Sequence, residues 1–98
     1  MTTNTLHIEN TVRDYATWKP VFDKYDRFRA DHGVRSYRLS RSVDDGNRVF
    51  IDLDFDSAEA AAEFGRALEK VRATPQSQRQ LVSQMPLAVL EILEQRTL

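Results

Sequence analysis

The sequence predicts an α+β fold, a βαββαβ sandwich in which one antiparallel sheet carries helices on one of its faces. Three observations point there. Short runs that alternate apolar and polar side chains are interrupted by two stretches whose apolar residues recur every three or four positions. The tetrapeptide Asp44-Asp-Gly-Asn47 separates two of the alternating runs and holds residue types that tolerate the positive φ angles of tight hairpins. The final run, Leu87-Ala-Val-Leu-Glu-Ile-Leu93, is apolar on both faces, whereas a strand between helices and water alternates. Something must cover its second face. A chain of 98 residues has no spare segment for that task, so the expected cover is a second copy.

In chain order, the first strand is predicted from about Thr5 to Val12, with Leu6, Ile8 and Val12 on one side and His7, Glu9 and Thr11 on the other. Asp14 offers a helix cap. Tyr15, Trp18, Phe22, Tyr25, Phe28 or Arg29, and His32 then follow helical spacing as an aromatic stripe ending at Gly33. Pro20 removes a backbone donor, which predicts a kink, or a separate first turn over 14–17 with the main helix capped by Thr17. The second strand is read over Val34–Val43 and the third over Arg48–Phe55. In the third, Val49, Ile51, Leu53 and Phe55 share one face and Phe50, Asp52 and Asp54 the other. Ser57 caps an alanine-rich helix whose inward stripe is Ala61, Phe64, Leu68 and Val71. Thr74-Pro75 starts a short helix over 75–84, and Pro86 opens the last strand.

Composition narrows the function classes. No linker-like segment divides the chain, so one domain spans residues 1–98, burying roughly 60 to 65% of its unfolded surface. Charged residues make up 30% and the net charge is −1, which gives no reason to expect nucleic acid or an anionic membrane as partner. The absence of cysteine removes disulfides, thiolate metal sites, iron–sulfur clusters and cysteine nucleophiles. Met1 to Thr5 lacks the basic and apolar stretches of a secretion signal, and no apolar run nears the ~20 residues that span a bilayer. A cytoplasmic protein is expected.

Three segments carry a family resemblance: Val12 to Asp23, Gly33-Val-Arg-Ser-Tyr-Arg-Leu39, and Phe55 to Phe64. Together they resemble the dimeric α/β-barrel superfamily, and within it small proteins related to the antibiotic-biosynthesis monooxygenases. The resemblance implies a ferredoxin-like protomer whose sheet pairs with a partner's to close a barrel. It also implies an active site either between sheet and helices or within the barrel. Cofactor-free monooxygenases, haem-handling enzymes, isomerases, cyclases and stress-induced proteins all share that architecture, so it does not choose an activity.

The residues offer two candidate sites. On the polar face of the sheet, alternation groups His7 and Glu9 with Ser36, Arg38, Asp52 and Asp54. A histidine beside a carboxylate is a general base, and an arginine can hold an enolate or other anion, which casts His7, Arg38 and Asp52 as catalytic and Glu9, Ser36 and Asp54 as substrate-binding. The same groups also suit ion pairs at a dimer interface. Trp18 and the aromatic stripe could line a pocket for a planar substrate, a spacing that core packing equally explains. His32, next to Gly33, fits a local role at a helix C-terminus. His7 and His32 would need Glu9 or Asp52 to complete three metal ligands.

Two other βαββαβ functions fit poorly. An RNA-recognition module needs basic and aromatic residues on its third strand, where this chain carries Asp52 and Asp54. A metallochaperone needs a cysteine pair. With no glycine-rich phosphate loop and three glycines in all, no tightly bound metal, haem, flavin or nicotinamide is expected. The reading is therefore a homodimer with a small-molecule ligand: a cofactor-independent, monooxygenase-like enzyme acting on an aromatic or polyketide-like molecule, or a non-catalytic binding or stress-related dimer.

Overall fold

The central strand of the sheet is β1 (Asn4–Val12), and the other elements are arranged around it. The structure, a computed structural model, describes residues Thr3 to Leu98, so the first two residues of the Met1–Thr5 stretch lie outside it. After β1 come α1 (Tyr15–Lys24), α2 (Asp26–Asp31), β2 (Ser36–Arg41), β3 (Arg48–Phe55), α3 (Ala58–Arg72), α4 (Pro75–Gln80), β4 (Leu81–Gln84) and β5 (Ala88–Glu91). The strand order is β2-β3-β1-β4, with β5 also pairing β1, and every pairing is antiparallel. This is the expected α+β, ferredoxin-like arrangement.

Register sets the two faces. β1 pairs β3 from Asn4↔Phe55 to Thr11↔Arg48. Leu6, Ile8 and Val12 therefore face the helices with Val49, Ile51, Leu53 and Phe55, and all seven are buried. Helices close over them with Trp18, Phe22, Ala61 and Phe64. The burial of these side chains, each favouring the folded state by about 1.5–3 kcal/mol for a large apolar group, is the main force holding helices to sheet.

Besides β2, which is Ser36–Arg41 instead of Val34–Val43 because its ladder with β3 runs only from Ser36↔Asp54 to Arg41↔Val49, three elements differ from expectation. Asp14, not Thr17, caps α1 by accepting the Thr17 N–H at 3.0 Å, and Pro20 lies inside the helix. The carbonyl left without Pro20's donor belongs to exposed Ala16, where water can serve it. The break comes instead at Tyr25, whose φ of −91° and ψ of 9° separate α1 from α2. Second, α4 stops at Gln80, and 81–84 forms β4 instead of more helix. The free edge of β1 at Asn10–Val12 offers ladder bonds there, and Pro86 soon bars further helix. Third, the last strand is shorter than Leu87–Leu93, because β1 begins at Asn4, the partner of Glu91, while Pro86, which cannot donate to the ladder, separates it from β4. β5 pairs with β1 from Asn4↔Glu91 to His7↔Ala88. Val89 and Leu90 point to opposite faces and each is 43% exposed.

Gly33 ends α2 at φ 94°, the one positive φ among the described residues. Gly33→Ala should cost about 1–2 kcal/mol, because a side chain is strained in that conformation. Gly65 sits in α3, where an added Cβ would lie 3.6 Å from Leu6 Cδ1, an ordinary contact. Gly65→Ala should therefore gain up to about 1 kcal/mol of helix propensity, whereas Gly65→Leu should lose about 1–3 kcal/mol by overpacking. Urea denaturation of the three variants measures all three signs.

Candidate functional site

The outer face of the sheet collects most of the residues singled out in the sequence. Arg38, Asp52, His7 and Ala88 lie opposite one another in one row across β2, β3, β1 and β5. Ser36, Asp54, Thr5 and Leu90 form the neighbouring row. His7 Nδ1 lies 2.7 Å from Asp52 Oδ1, and each side chain is about one-third exposed. Thr5 donates its hydroxyl to Asp54 Oδ1 at 2.6 Å, and Ser36 donates to Asp54 Oδ2 at 3.1 Å. Arg38 makes no hydrogen bond or ion pair among the described residues. These groups edge an open concavity of about 630 Å³, bounded at its far end by Leu90, Ile92 and Glu94.

Two predicted members of this group stand apart from it. Glu9 is one row further along β1 and accepts from Arg48 Nη2 at 2.7 Å, outside the concavity. Trp18 projects from α1 onto the opposite face of the sheet, so no small molecule can touch it together with His7, Arg38 and Asp52. The sheet itself lies between them.

Trp18 instead walls a second cavity, of about 170 Å³, between the helices and the sheet. Ile8, Ile51 and Leu53 form its floor, while Trp18, Phe22, Phe28, Phe64 and Leu68 enclose it from α1, α2 and α3. The rings of Trp18 and Phe22 are 5.0 Å apart, and Phe28 and Phe64 are 5.9 Å apart. Such tilted contacts stiffen an aromatic wall.

Two arginines are buried in this apolar setting. Arg29 stacks its guanidinium 3.6 Å over the Phe22 ring and donates Nη2–H to the Phe22 carbonyl at 2.7 Å. Its Nη1 is buried with no hydrogen-bond partner, the Asp26 carboxylate being 3.7 Å away on the exposed side. Burial pushes the Arg29 guanidinium below its ordinary value, opposed by the charges of Tyr37, Asp26 and Asp23. Arg72 donates Nη2–H to Asn10 Oδ1 at 2.8 Å and to the Met85 carbonyl at 3.1 Å, and Nη1–H to Glu69 at 3.3 Å. Its Nε–H is buried and unpartnered. No Asp, Glu, His or Lys lines the cavity. Its one acid–base side chain besides the arginines is the Tyr25 phenol.

Arg29, Arg72 and Asn10 were not among the residues that sequence reasoning selected for a site. A signal existed: each is a polar residue in apolar phase, Asn10 following Leu6 and Ile8 on the inward face of β1 and Arg72 extending the Phe64–Leu68 stripe. His32 lies elsewhere, stacked on Phe28 at 3.9 Å and within 2.8 Å of its carbonyl, at the end of α2. Among the described residues no group of three or more His, Asp or Glu is placed to hold a metal ion, and no helix is long and apolar enough to cross a membrane.

The strand order and the helices packed on one face define a ferredoxin-like α+β fold. No protein-family model matches the chain, and no curated protein does. Solved structures match over essentially its whole length. A provisionally assigned antibiotic biosynthesis monooxygenase from Bordetella bronchiseptica superposes with a TM-score of 0.69 at 13% identity, covering 100% of both chains. SnoaB, a cofactor-independent oxygenase from Streptomyces nogalater, superposes at 0.65 with 20% identity, covering 100% of this chain and 98% of its own. A dimeric ferredoxin-like protein from an uncultured marine organism superposes at 0.67 with 8% identity, covering 99% and 93%. At such identities the likeness is one of fold.

The two polar pairings on the outer face should differ in worth. Asp54→Ala leaves the hydroxyl of Thr5, a residue only 4% exposed, without its partner, and should cost about 1–3 kcal/mol. Glu9→Ala breaks a pair whose Arg48 side chain is half exposed and should cost under about 1 kcal/mol. Chemical denaturation of both variants tests the ranking.

Proposed function

We propose that this protein is a small, cofactor-independent oxygenase-like enzyme acting on a one- or two-ring phenolic molecule in the cavity between helices and sheet, and that it works as a homodimer. The observation that carries the reading is the aromatic-walled cavity with buried guanidiniums and no carboxylate, imidazole or amine in its lining. At about 170 Å³ it falls below the roughly 300–1,000 Å³ of drug-sized pockets, so a multi-ring polyketide does not fit and one or two fused rings do.

A phenolate needs no cofactor to react with dioxygen, because it is itself the electron donor. A carbon–oxygen bond forms at a ring C–H carbon, and the hydroperoxide so made loses water to leave a quinone. One oxygen atom of O₂ stays on the ring and the other leaves in water, with the two hydrogens taken from the ring C–H and the phenol O–H. Buried guanidiniums favour the phenolate and the negative charge that develops on oxygen. The lining offers no carboxylate or imidazole base, so the phenol ionises in water before or as it enters. Turnover should rise with pH up to the substrate's own phenol pKa, ~10 for a simple phenol.

Oxygen uptake with hydroxynaphthalenes tests this. Uptake should persist in a metal chelator and disappear in Leu68→Trp, which fills the cavity from a half-buried wall position. A non-catalytic binding role has one observation in its favour, the same absence of a carboxylate or imidazole. Tight binding of these compounds to wild type without oxygen uptake would establish that reading and remove the enzymatic one.

The outer face, with His7, Arg38, Asp52, Ser36 and Asp54, we assign to the surface that meets the second copy. Exposed Leu90 in the outer row is consistent with a covered surface, and one structural neighbour is a dimeric ferredoxin-like protein. An interface of normal size buries about 1,600 Å² in all. Light scattering at micromolar concentration should give twice the chain mass, and Leu90→Glu should give the single mass. A wild-type monomer would end the barrel assignment.

A further inference from the structure

The two buried arginines are held at different strands. Arg29 lies over Phe22, with the Tyr37 ring of β2 5.6 Å away, whereas Arg72 is bonded to Asn10 of β1 and to the carbonyl of Met85, just beyond β4. In the order β2-β3-β1-β4, two strand spacings of about 4.8 Å separate β2 from β1. Tyr37 is level with Leu53 and Leu6, four residues along β1 from Asn10, which adds a further offset of roughly 13 Å along the strands. The guanidiniums therefore mark opposite ends of one cavity whose middle is Ile51, Leu53 and aromatic rings.

Each end has unspent donors. The Arg29 side chain is 8% exposed and its Nη1 makes no hydrogen bond; the Arg72 side chain is 6% exposed and its Nε–H has no partner. Beside Arg72, the Asn10 carboxamide spends its oxygen on the guanidinium, and its NH₂ makes no hydrogen bond among the described residues. The carboxylates that approach these arginines, Asp26 and Glu69, are 67% and 58% exposed, so both counter-charges sit on the solvent side. A buried charged donor without an inward partner is costly in an apolar wall and is ordinarily matched by an acceptor.

We infer that the cavity takes an elongated aromatic acid with an oxygen function at each end, a hydroxyaryl carboxylate, whose carboxylate meets Arg29 and whose phenolic oxygen meets Arg72 and Asn10. This rests on the proposed function and names the substrate class of that site. The two unspent hydrogens of Arg29 Nη1 suit the carboxylate, because charge-assisted bonds to carboxylate oxygens are the stronger kind. At the other end the Arg72 Nε–H and the Asn10 carboxamide NH₂ are the donors left for an oxygen, where the phenolate charge must be favoured for reaction with dioxygen.

Calorimetric titration of the wild-type protein with a graded ligand set decides it: a hydroxynaphthoate with its groups at opposite ends, its methyl ester, the naphthoate lacking the hydroxyl, and the naphthol lacking the carboxylate. The acid should bind at least about tenfold more tightly than its ester, and the hydroxyl should add a further severalfold. Arg29→Met should erase the difference between acid and ester, while Arg72→Met should erase the difference made by the hydroxyl. Arg29→Lys and Arg72→Lys retain the charge, and circular dichroism checks their folding; the wild-type ligand series stands even if the Met variants unfold. Equal binding of acid, ester and naphthol, all lost in Leu68→Trp, would overturn the inference and leave the cavity reading intact. An acid preference that survives Arg29→Met would place the anion elsewhere and overturn it too. No binding by any member, or binding indifferent to Leu68→Trp, would remove the cavity reading along with it.

Discussion

The antiparallel pairing of β1 with β3 is the constraint on which the rest of the molecule depends. Running from Asn4↔Phe55 to Thr11↔Arg48, it places two alternating sequences in phase. Leu6 meets Leu53 and Ile8 meets Ile51 on the helix side, while His7 meets Asp52 and Thr5 meets Asp54 on the other. A slip of one residue would turn the carboxylates into the core and the leucines into water, so burial specifies the register strongly. Both candidate sites inherit their composition from this alternation. The two cavities lie back to back across one sheet and share no side chain other than through its strands.

The helix-side cavity carries an energetic oddity. Sequestering two guanidiniums among phenylalanines costs free energy, and breaking rather than completing their partnerships costs more. Arg29 recovers part of this by stacking on Phe22, and Arg72 by bonding Asn10 and two further oxygens. Under the proposed function, an anion entering the cavity would supply the partners these donors lack.

The outer face has a different logic. His7 with Asp52, and Thr5 and Ser36 with Asp54, satisfy one another, which leaves little chemistry undone except at Arg38. Self-satisfied polar rows flanked by exposed Leu90 fit a surface that meets another surface. The helix-side cavity has the opposite character, apolar with unspent donors, which fits a small ligand.

Much of the fold was legible in the sequence because its determinants are local. The Asp44–Asn47 turn, the Ser57 and Thr74 caps, the limits of β3 and the alternation that put His7, Arg38 and Asp52 on one face all follow from neighbouring residues. The misplaced features were those where a distant strand competed with a local preference. Residues 81–84 left the helical pattern because β1 had a free edge, and the last strand was shortened because β1, its partner, begins only at Asn4. Of the site, the sequence by itself determined the aromatic stripe with Trp18 and the polar row of the sheet. Only the tertiary structure decided that Trp18 and His7 lie on opposite sides, and that Arg29 and Arg72 share a cavity. Those two arginines are 43 residues apart in the chain, counting from 29 to 72, and sit on separate helices. Helical periodicity states which side of a helix is buried, but not which other buried side it will meet; that depends on how both helices dock across the same sheet.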